Sequence, residues 1–327
     1  MQNKYLDIIG MMTGTSVDGI DVSYVKSNGL DLINLNSNYF YKFDELVRDK
    51  ILNIMHENLN IKFKIKKYFD NLITKEHYNA IREANVIGNV DIIGFHGQTI
   101  YHNPQKKISI QYGNPKFLSK LINKKVVFNF RQKDIDNNGQ GAPLAPIYHK
   151  LIIEKLGLEL PTCILNIGGI SNVTLINDYF DQSEIFSRDL GPGNCLIDNW
   201  MRKNSNNKFD SDSSYAFRGE KNEIIFEQAQ ELYSNRINKN KLSFDVNDFD
   251  ISFARGLSLE DGARTLTDFT ASIIGESLTN FLTKFRKKRV KDVFVCGGGR
   301  KNILLIKKIQ EYIHPETGLQ KIDDLEI

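Results

Sequence analysis

A strand, a small glycine-rich turn and a second strand occur twice in this chain, about half its length apart. Near the N-terminus the apolar run Leu6-Asp7-Ile8-Ile9 leads into Gly10-Met11-Met12-Thr13-Gly14-Thr15-Ser16, and Ile20-Asp21-Val22-Ser23-Tyr24-Val25 follows. In the middle, Cys163-Ile164-Leu165-Asn166-Ile167 leads into Gly168-Gly169-Ile170-Ser171-Asn172, then Val173-Thr174-Leu175-Ile176. Two apolar runs around a glycine turn read as a β-hairpin. Such a repeat points to two related domains, and 327 residues have room for two. Both turns are of a size to accept a phosphate. The repeat therefore predicts two loops that grip one polyphosphate from both sides of a cleft.

The rest of the chain reads as strand–loop–helix units in both halves, which predicts an α/β protein. A third strand is expected around 32–41, and helical spacing recurs over 45–60 and 74–87. Between them, residues 61–67 alternate apolar and basic side chains, which suggests a solvated strand or helix end. Strands are expected at 90–95 and 126–130, with a helix at 114–122 between them. The polar segment 131–146 reads as a crossover, so the first domain is taken as 1–130 and the second as 131–327. A helix at 147–156 precedes the second hairpin, a strand at 186–190 follows it, and a helix at 195–203 comes next. Residues 204–222 and 234–248 read as surface loops. Residues 258–286 give the clearest helix, capped by Ser258, with Leu266, Phe269, Ile273, Ile274, Leu278, Phe281, Leu282 and Phe285 on one face. A strand at 292–296 and a last helix end the reading.

Composition excludes several classes. A formal net charge of +3 gives no reason to expect a nucleic-acid partner and tolerates an anionic substrate. The basic run Lys284–Arg289 closes a helix C-terminus, where positive charge complements the dipole. Cys163, Cys195 and Cys296 are far apart with no C-x-x-C spacing, so they read as reduced thiols. No run approaches the ~18 apolar residues of a membrane span, and no signal peptide is visible. The chain is expected to be cytoplasmic, with no membrane partner.

Several places could carry chemistry. In Gly14-Thr15-Ser16-Val17-Asp18-Gly19-Ile20-Asp21, glycines let backbone amides approach a phosphate, and the hydroxyls of Thr13, Thr15 and Ser16 add donors. Asp18 and Asp21 could hold magnesium, directly or through water. The competing reading is a hairpin turn chosen for backbone geometry alone, which the second copy at Gly168, Gly169 and Ser171 weakens. No G-x-x-x-x-G-K-[ST] occurs, which argues against a P-loop fold. In Ser187–Asn194, Asp189 ends a strand just before a Gly-Pro-Gly turn, the placement a general base needs; a turn-forming role is the alternative. His96 and Gln98 end the equivalent strand of the first half and could hydrogen-bond a sugar, although a structural role suits His96 equally. Asp134 and Gln140, between Arg131 and Gly141-Ala142-Pro143, line the same cleft or order the crossover. Asn172 and Asn194, beside the second set of turns, complete the candidate sugar contacts. Gly297, Gly298 and Gly299 follow a buried strand and suit an adenosine pocket or a helix-start turn. No G-x-S-x-G elbow is present, which disfavours a serine hydrolase.

Taken together, these segments resemble the anhydro-N-acetylmuramic acid kinase family, within the superfamily of sugar kinases, actin and chaperone ATPases. The likeness runs through residues 10–21, 94–99, 134–135 with 139–144, 165–172, 189–194, 260–267 and 296–302. It implies two actin-like (ribonuclease H-like) ATPase domains around a central cleft. It implies ATP and Mg2+, with 1,6-anhydro-N-acetylmuramic acid as the substrate. The product would be N-acetylmuramic acid 6-phosphate, a step of peptidoglycan recycling, and the enzyme would be a homodimer. By the same likeness residues 14–21 bind ATP phosphates and Asp189 is the base. The chain departs from the family pattern at Asn138, where a glycine is usual, and near Asn240-Lys241-Leu242-Ser243. The family also continues past Ile327 with a further helix, and its absence leaves a truncated, inactive kinase as one alternative. A non-catalytic actin- or chaperone-like ATP-binding protein is another; a glycosidase would leave the duplicated loops without a role.

Overall fold

In a computed structural model the chain divides into two compact units, Met1–Leu144 and Ala145–Ile327. The structure describes residues 4–321 other than Thr15, Ile87, Asn89, residues 238–243, Asp245 and residues 314–316. The crossover segment 131–144 packs with the first unit.

Unit 1 contains β1 (Leu6–Met12), β2 (Gly19–Ser27), β3 (Leu32–Lys42), α1 (Glu45–His56) and α2 (Leu59–Ala84). It continues with β4 (Ile92–Phe95), β5 (Gln98–Asn103), β6 (Ile108–Tyr112), α3 (Pro115–Ile122), β7 (Lys125–Phe128) and α4 (Gln132–Asp136). Unit 2 contains α5 (Pro146–Lys155), β8 (Thr162–Ile167), β9 (Ile170–Ile176), β10 (Ile185–Pro192), α6 (Cys195–Asn204) and α7 (Glu223–Ile237). Then come α8 (Leu259–Phe285), β11 (Asp292–Cys296), α9 (Ile303–Tyr312) and β12 (Gly318–Lys321).

The sheets show the duplication directly. Unit 1 has the strand order β3-β2-β1-β4-β7 and unit 2 the order β10-β9-β8-β11-β12. In each, the first three strands in sequence are antiparallel neighbours and the last two add parallel. The same order and the same senses occur twice, as expected of two related α/β domains. Because β1 and β4 are parallel, as are β8 and β11, the loops that follow them leave each sheet at one end, where ligands bind in open α/β sheets.

Hydrophobic patterning placed most elements. On α8 every residue named from the helical spacing is buried except Phe285, which is half-buried. The Ser258 hydroxyl accepts the Asp261 N–H at 3.0 Å, satisfying one orphan donor of the first turn. Of the two readings of residues 61–67, a solvated strand or a helix end, the second holds, since they form the first turns of α2; what the spacing missed is that one helix runs unbroken from Leu59 to Ala84. Alternation misled because the buried position is Lys62, while Ile61 and Phe63 are exposed. The Lys62 ammonium donates to the carbonyls of Met55 (3.0 Å) and Ile100 (3.4 Å) and lies over the Tyr101 ring. Those partners offset a desolvation cost of several kcal/mol for a buried charge. The hairpin of β5 and β6 and the strand β12 were not legible in the sequence.

Candidate active site

In unit 1, Met11 of β1 pairs with Phe95 of β4, so the turns after these strands are neighbours. The first turn spans residues 13–18. Val17 has φ +54 although its side chain is β-branched and wholly buried. A non-glycine residue held there costs on the order of 1–3 kcal/mol, and such strain gathers at ligand clamps. Ser16 and Asp18 are exposed. Arg48 of α1 reaches both: its guanidinium donates to the Ser16 carbonyl at 3.4 Å and its Nε lies 3.5 Å from the Asp18 carboxylate. Gly19 and Ile20 are buried at the start of β2, and desolvation pushes the Asp21 carboxyl above its ordinary pKa. Thr15 lies outside the described residues.

The second turn joins β4 to β5. His96 is buried, and both ring nitrogens are engaged: Nδ1 donates to the Gly97 carbonyl at 2.8 Å, and Nε2 accepts from Arg131 Nε at 2.9 Å. Burial, then the Arg131 charge, lowers its pKa to about 4, so the ring is neutral at physiological pH. Gln98 is wholly buried and its Nε2 donates to the Gly14 carbonyl at 3.3 Å. Arg131 also donates to the Gly141 carbonyl at 2.6 Å, and the Asp134 carboxylate accepts the Gly141 N–H at 2.6 Å. Asp134 thus closes the loop on which Gln140 is half-buried. Beside the β4 end lies a cavity of about 430 Å³ whose lining includes His96, Ser109, Gln111, Asn114, Tyr112 and Phe128. Of the candidate sugar contacts of this unit, His96 alone lines it. Its volume and mixed aromatic and polar wall suit a small polar molecule.

In unit 2 the turn Gly168–Gly169 follows β8, and Gly297–Gly299 follows β11, whose Cys296 pairs with Asn166. Gly297 has φ +80, and a Cβ there would come within 2.6 Å of the Ile167 carbonyl, so bare backbone is required. Gly298 lies beside Asn194, with 3.9 Å from its ideal Cβ to Asn194 Nδ2. Ser171 is wholly buried and donates to the Gly191 and Pro192 carbonyls at 3.1 and 3.2 Å. Asp189 pairs with Asn172 across β9 and β10, and the register shifts between Asp189 and Gly191. Such a bulge re-aims the side chains beside it. Asp189 is buried, and its Oδ2 accepts the Phe244 N–H at 2.8 Å. The departure noted at 240–243 lies outside the described residues.

Sequence reasoning missed three participants. Arg48 and Arg131 sit on helical or polar segments with no motif of their own, and Phe244 contributes a backbone N–H that no side-chain pattern could reveal. Among the described residues no three His, Cys, Asp or Glu side chains gather as a metal-ion site. Asp18 and Asp21 remain two oxygen donors on one hairpin, which suits Mg2+, an ion that keeps its waters and takes one or two carboxylates plus phosphate oxygens.

A sequence model of the anhydro-N-acetylmuramic acid kinase family matches residues 6–327. The chain belongs to this family. It is 41% identical to the anhydro-N-acetylmuramic acid kinase of Pelagibacter ubique, over 99% of this chain and 88% of that one. It is 31% identical to that of Bradyrhizobium diazoefficiens, over 95% of this chain and 85% of that one. Among solved structures it is similar to the activator of the 2-hydroxyisocaproyl-CoA dehydratase from Clostridium difficile with bound ADPNP. That likeness has a TM-score of 0.43 and 10% identity, covering 98% of this chain and 88% of that chain. The anhydro-N-acetylmuramic acid kinase family is one of ATP-using sugar kinases, and the chain is accordingly a phosphotransferase. Among the described residues no helix is long and apolar enough to cross a membrane.

Proposed function

We propose that this chain opens the anhydro ring of 1,6-anhydro-N-acetylmuramic acid and phosphorylates the freed O6, consuming ATP and water in peptidoglycan recycling. Asp189 takes a proton from water, whose oxygen bonds to the anomeric carbon as the C1–O6 bond breaks. O6 bonds to the γ-phosphorus, and the bond to the β-phosphate oxygen breaks to release ADP. The observation that carries the reading is Asp189 itself, a buried carboxylate on a bulge, opposite Asn172 and oriented by the Phe244 N–H. A base held that rigidly contributes ~10²–10⁴-fold.

In unit 1 we assign ATP phosphates to residues 14–21; in unit 2 we assign phosphate to the Gly168–Gly169 turn and adenosine to Gly297–Gly299, while Ser171, wholly buried with its hydroxyl on the Gly191 and Pro192 carbonyls, holds that turn in place of touching phosphate. Amides and hydroxyls of residues 14–16 would meet the charge on the transferring phosphoryl group. Mg2+, held at Asp18 and Asp21 through water, would supply further neutralisation of phosphate charge. In unit 1 the cavity beside His96 is assigned to the sugar, and Asp134 and Gln140 to ordering the adjacent loop; in unit 2 Asn172 and Asn194 are the residues assigned to polar substrate contacts. His96, with both nitrogens occupied, would act by fixing Arg131 and the cavity wall. The family resemblance supports a cytoplasmic homodimer.

An ADP-release assay with and without the anhydro sugar tests the reaction. Sugar-dependent release is expected. Asp189→Asn should lower turnover ~10²–10⁴-fold while calorimetry shows nucleotide binding retained. Full turnover in that variant overturns the assignment of the base, and ADP release indifferent to the sugar overturns the reaction.

A further inference from the structure

The side chain of Gln98 is wholly buried, so it cannot touch a sugar, yet it reaches the phosphate-sized turn. Its Nε2 lies 3.3 Å from the carbonyl of Gly14, which also accepts the Val17 N–H at 3.2 Å. One carbonyl at the head of the turn is therefore pinned from two directions. Thr13, itself buried, makes the reverse connection: its hydroxyl donates to the Gly97 carbonyl at 3.0 Å. The turn after β1 and the turn after β4 thus each lend a side chain to the other's backbone. The Gly97 carbonyl also accepts from His96 Nδ1 at 2.8 Å, His96 Nε2 accepts from Arg131, and Arg131 donates to the Gly141 carbonyl. A run of hydrogen bonds leads from the 131–141 loop, past the cavity beside His96, to the Thr13 hydroxyl, and the peptide links Gly97–Gln98 and Thr13–Gly14 join it to the Gln98–Gly14 bond.

The arrangement is costly for the fold. Gln98 Oε1 is buried with no hydrogen-bond partner among the described residues. An unpaired buried acceptor is a penalty that an apolar side chain of the same shape avoids. A site shaped by packing alone would favour Leu there, and the amide is retained with one end unpaired and the other on the turn.

We infer that Gln98, with Thr13, is a positioning residue for the phosphate turn. The pair bolts the turn after β1 to the His96 turn, so that what orders the His96–Arg131 side also orders the amides at Gly14. The inference rests on the reading of residues 14–21 as the phosphate-binding turn and changes the role expected of Gln98 from sugar contact to loop clamp. A group that sets the geometry of a phosphate cradle acts on the nucleotide and on the chemical step rather than on sugar affinity, because misplacement of an ångström is enough to slow phosphoryl transfer.

The test uses the full chain carrying Gln98→Leu, with Thr13→Val as the second, isosteric probe. For Gln98→Leu the midpoint of thermal unfolding should hold or rise. KM for ATP should rise and kcat fall, each roughly tenfold or more, with KM for the anhydro sugar within about twofold of the parent. Thr13→Val should shift the same parameters the same way, and the double variant should cost less than the product of the singles, since both pin one turn. A rise in sugar KM with ATP KM unchanged overturns the proposal in favour of a sugar contact. Unchanged kinetics in a stable variant overturns it in favour of packing. Gly14→Val separates this from failure of the underlying reading: the Cβ added there meets only Ser16 Oγ at 3.6 Å, and thermal unfolding of the variant shows whether the fold accepts its two methyl groups. If Gly14→Val leaves ATP binding by calorimetry unchanged, the turn is not the phosphate site. If it abolishes binding while Gln98→Leu behaves as the parent, only the clamp is wrong.

Discussion

The turn after β1 is held mostly by side-chain hydrogen bonds, whereas the turn after β8 is held mostly by backbone. Arg48, Gln98 and Thr13 fix the first. In the second, the Gly168 carbonyl accepts the Asn194 N–H at 2.7 Å, and the Gly169 carbonyl accepts from Gly193 at 2.9 Å and Cys195 at 3.2 Å. One sequence pattern on two sheets of the same topology has therefore been secured in two ways. Side-chain anchors can be tuned by neighbouring loops and lost one at a time. A backbone lock is stiffer, and it demands glycine where chains cross closely.

Glycine substitution should break this comparison most sharply if it is wrong. A Cβ on Gly193 would sit 2.2 Å from the Gly168 carbonyl oxygen, a contact only backbone movement relieves. Gly193→Ala should cost about 3 kcal/mol of stability and most of the turnover. Gly14→Ala, whose Cβ would make only an ordinary contact with Ser16 Oγ at 3.6 Å, should fold as the parent. Urea unfolding of both variants decides, and a stable Gly193→Ala beside an unstable Gly14→Ala would reverse the contrast.

Acid should separate the units next. His77 and His96 in unit 1 and His149 in unit 2 are each lowered to about 4, burial being the first cause in every case. An unfolded chain protonates them near 6.5. The stability they confer is therefore complete above about pH 6.5 and drains as pH falls toward 4, by up to roughly 3 kcal/mol each. Unit 1 carries two of the three, so its amides should lose hydrogen-exchange protection before those of unit 2. Unit 2 opening first would refute this.

The smallest effect belongs to Arg48→Ala. Its partner Asp18 is half exposed, so the pair should contribute less than about 1 kcal/mol to stability. The loss of its hold on Ser16 should still raise KM for ATP about two- to fivefold, read in the ADP-release assay. An unchanged KM would mean that the first turn needs no anchor from α1.

Much of the fold was legible because its signals are local. The hairpin of β1 and β2, that of β8 and β9, and the helix from Leu259 to Phe285 with its Ser258 cap all announce themselves within a short window. Residues 61–67 misled because their buried position is a lysine whose partners lie on other elements. The β5–β6 hairpin was missed because only the five residues Ile108-Ser109-Ile110-Gln111-Tyr112 alternate, while their partner strand Gln98–Asn103 mixes Gln, Thr, His and Asn, and β12 exists through its pairing with β11. At the candidate site the same division holds. Gly14, Asp18 and Asp189 stand in recognisable turns, whereas Arg48, Arg131 and the Phe244 N–H reach the site from distant segments.

The order of residues by itself determined the two glycine turns, the strands that carry them and the family, because each depends on residue types at short, fixed spacing. Tertiary structure alone decided that His96 has no free nitrogen, that Gln98 is buried against Gly14, and that a backbone amide orients Asp189. Those facts follow from which strand ends and loops the fold makes neighbours, and hydrogen bonds between residues 35, 55 and 84 positions apart leave no periodic trace in the chain.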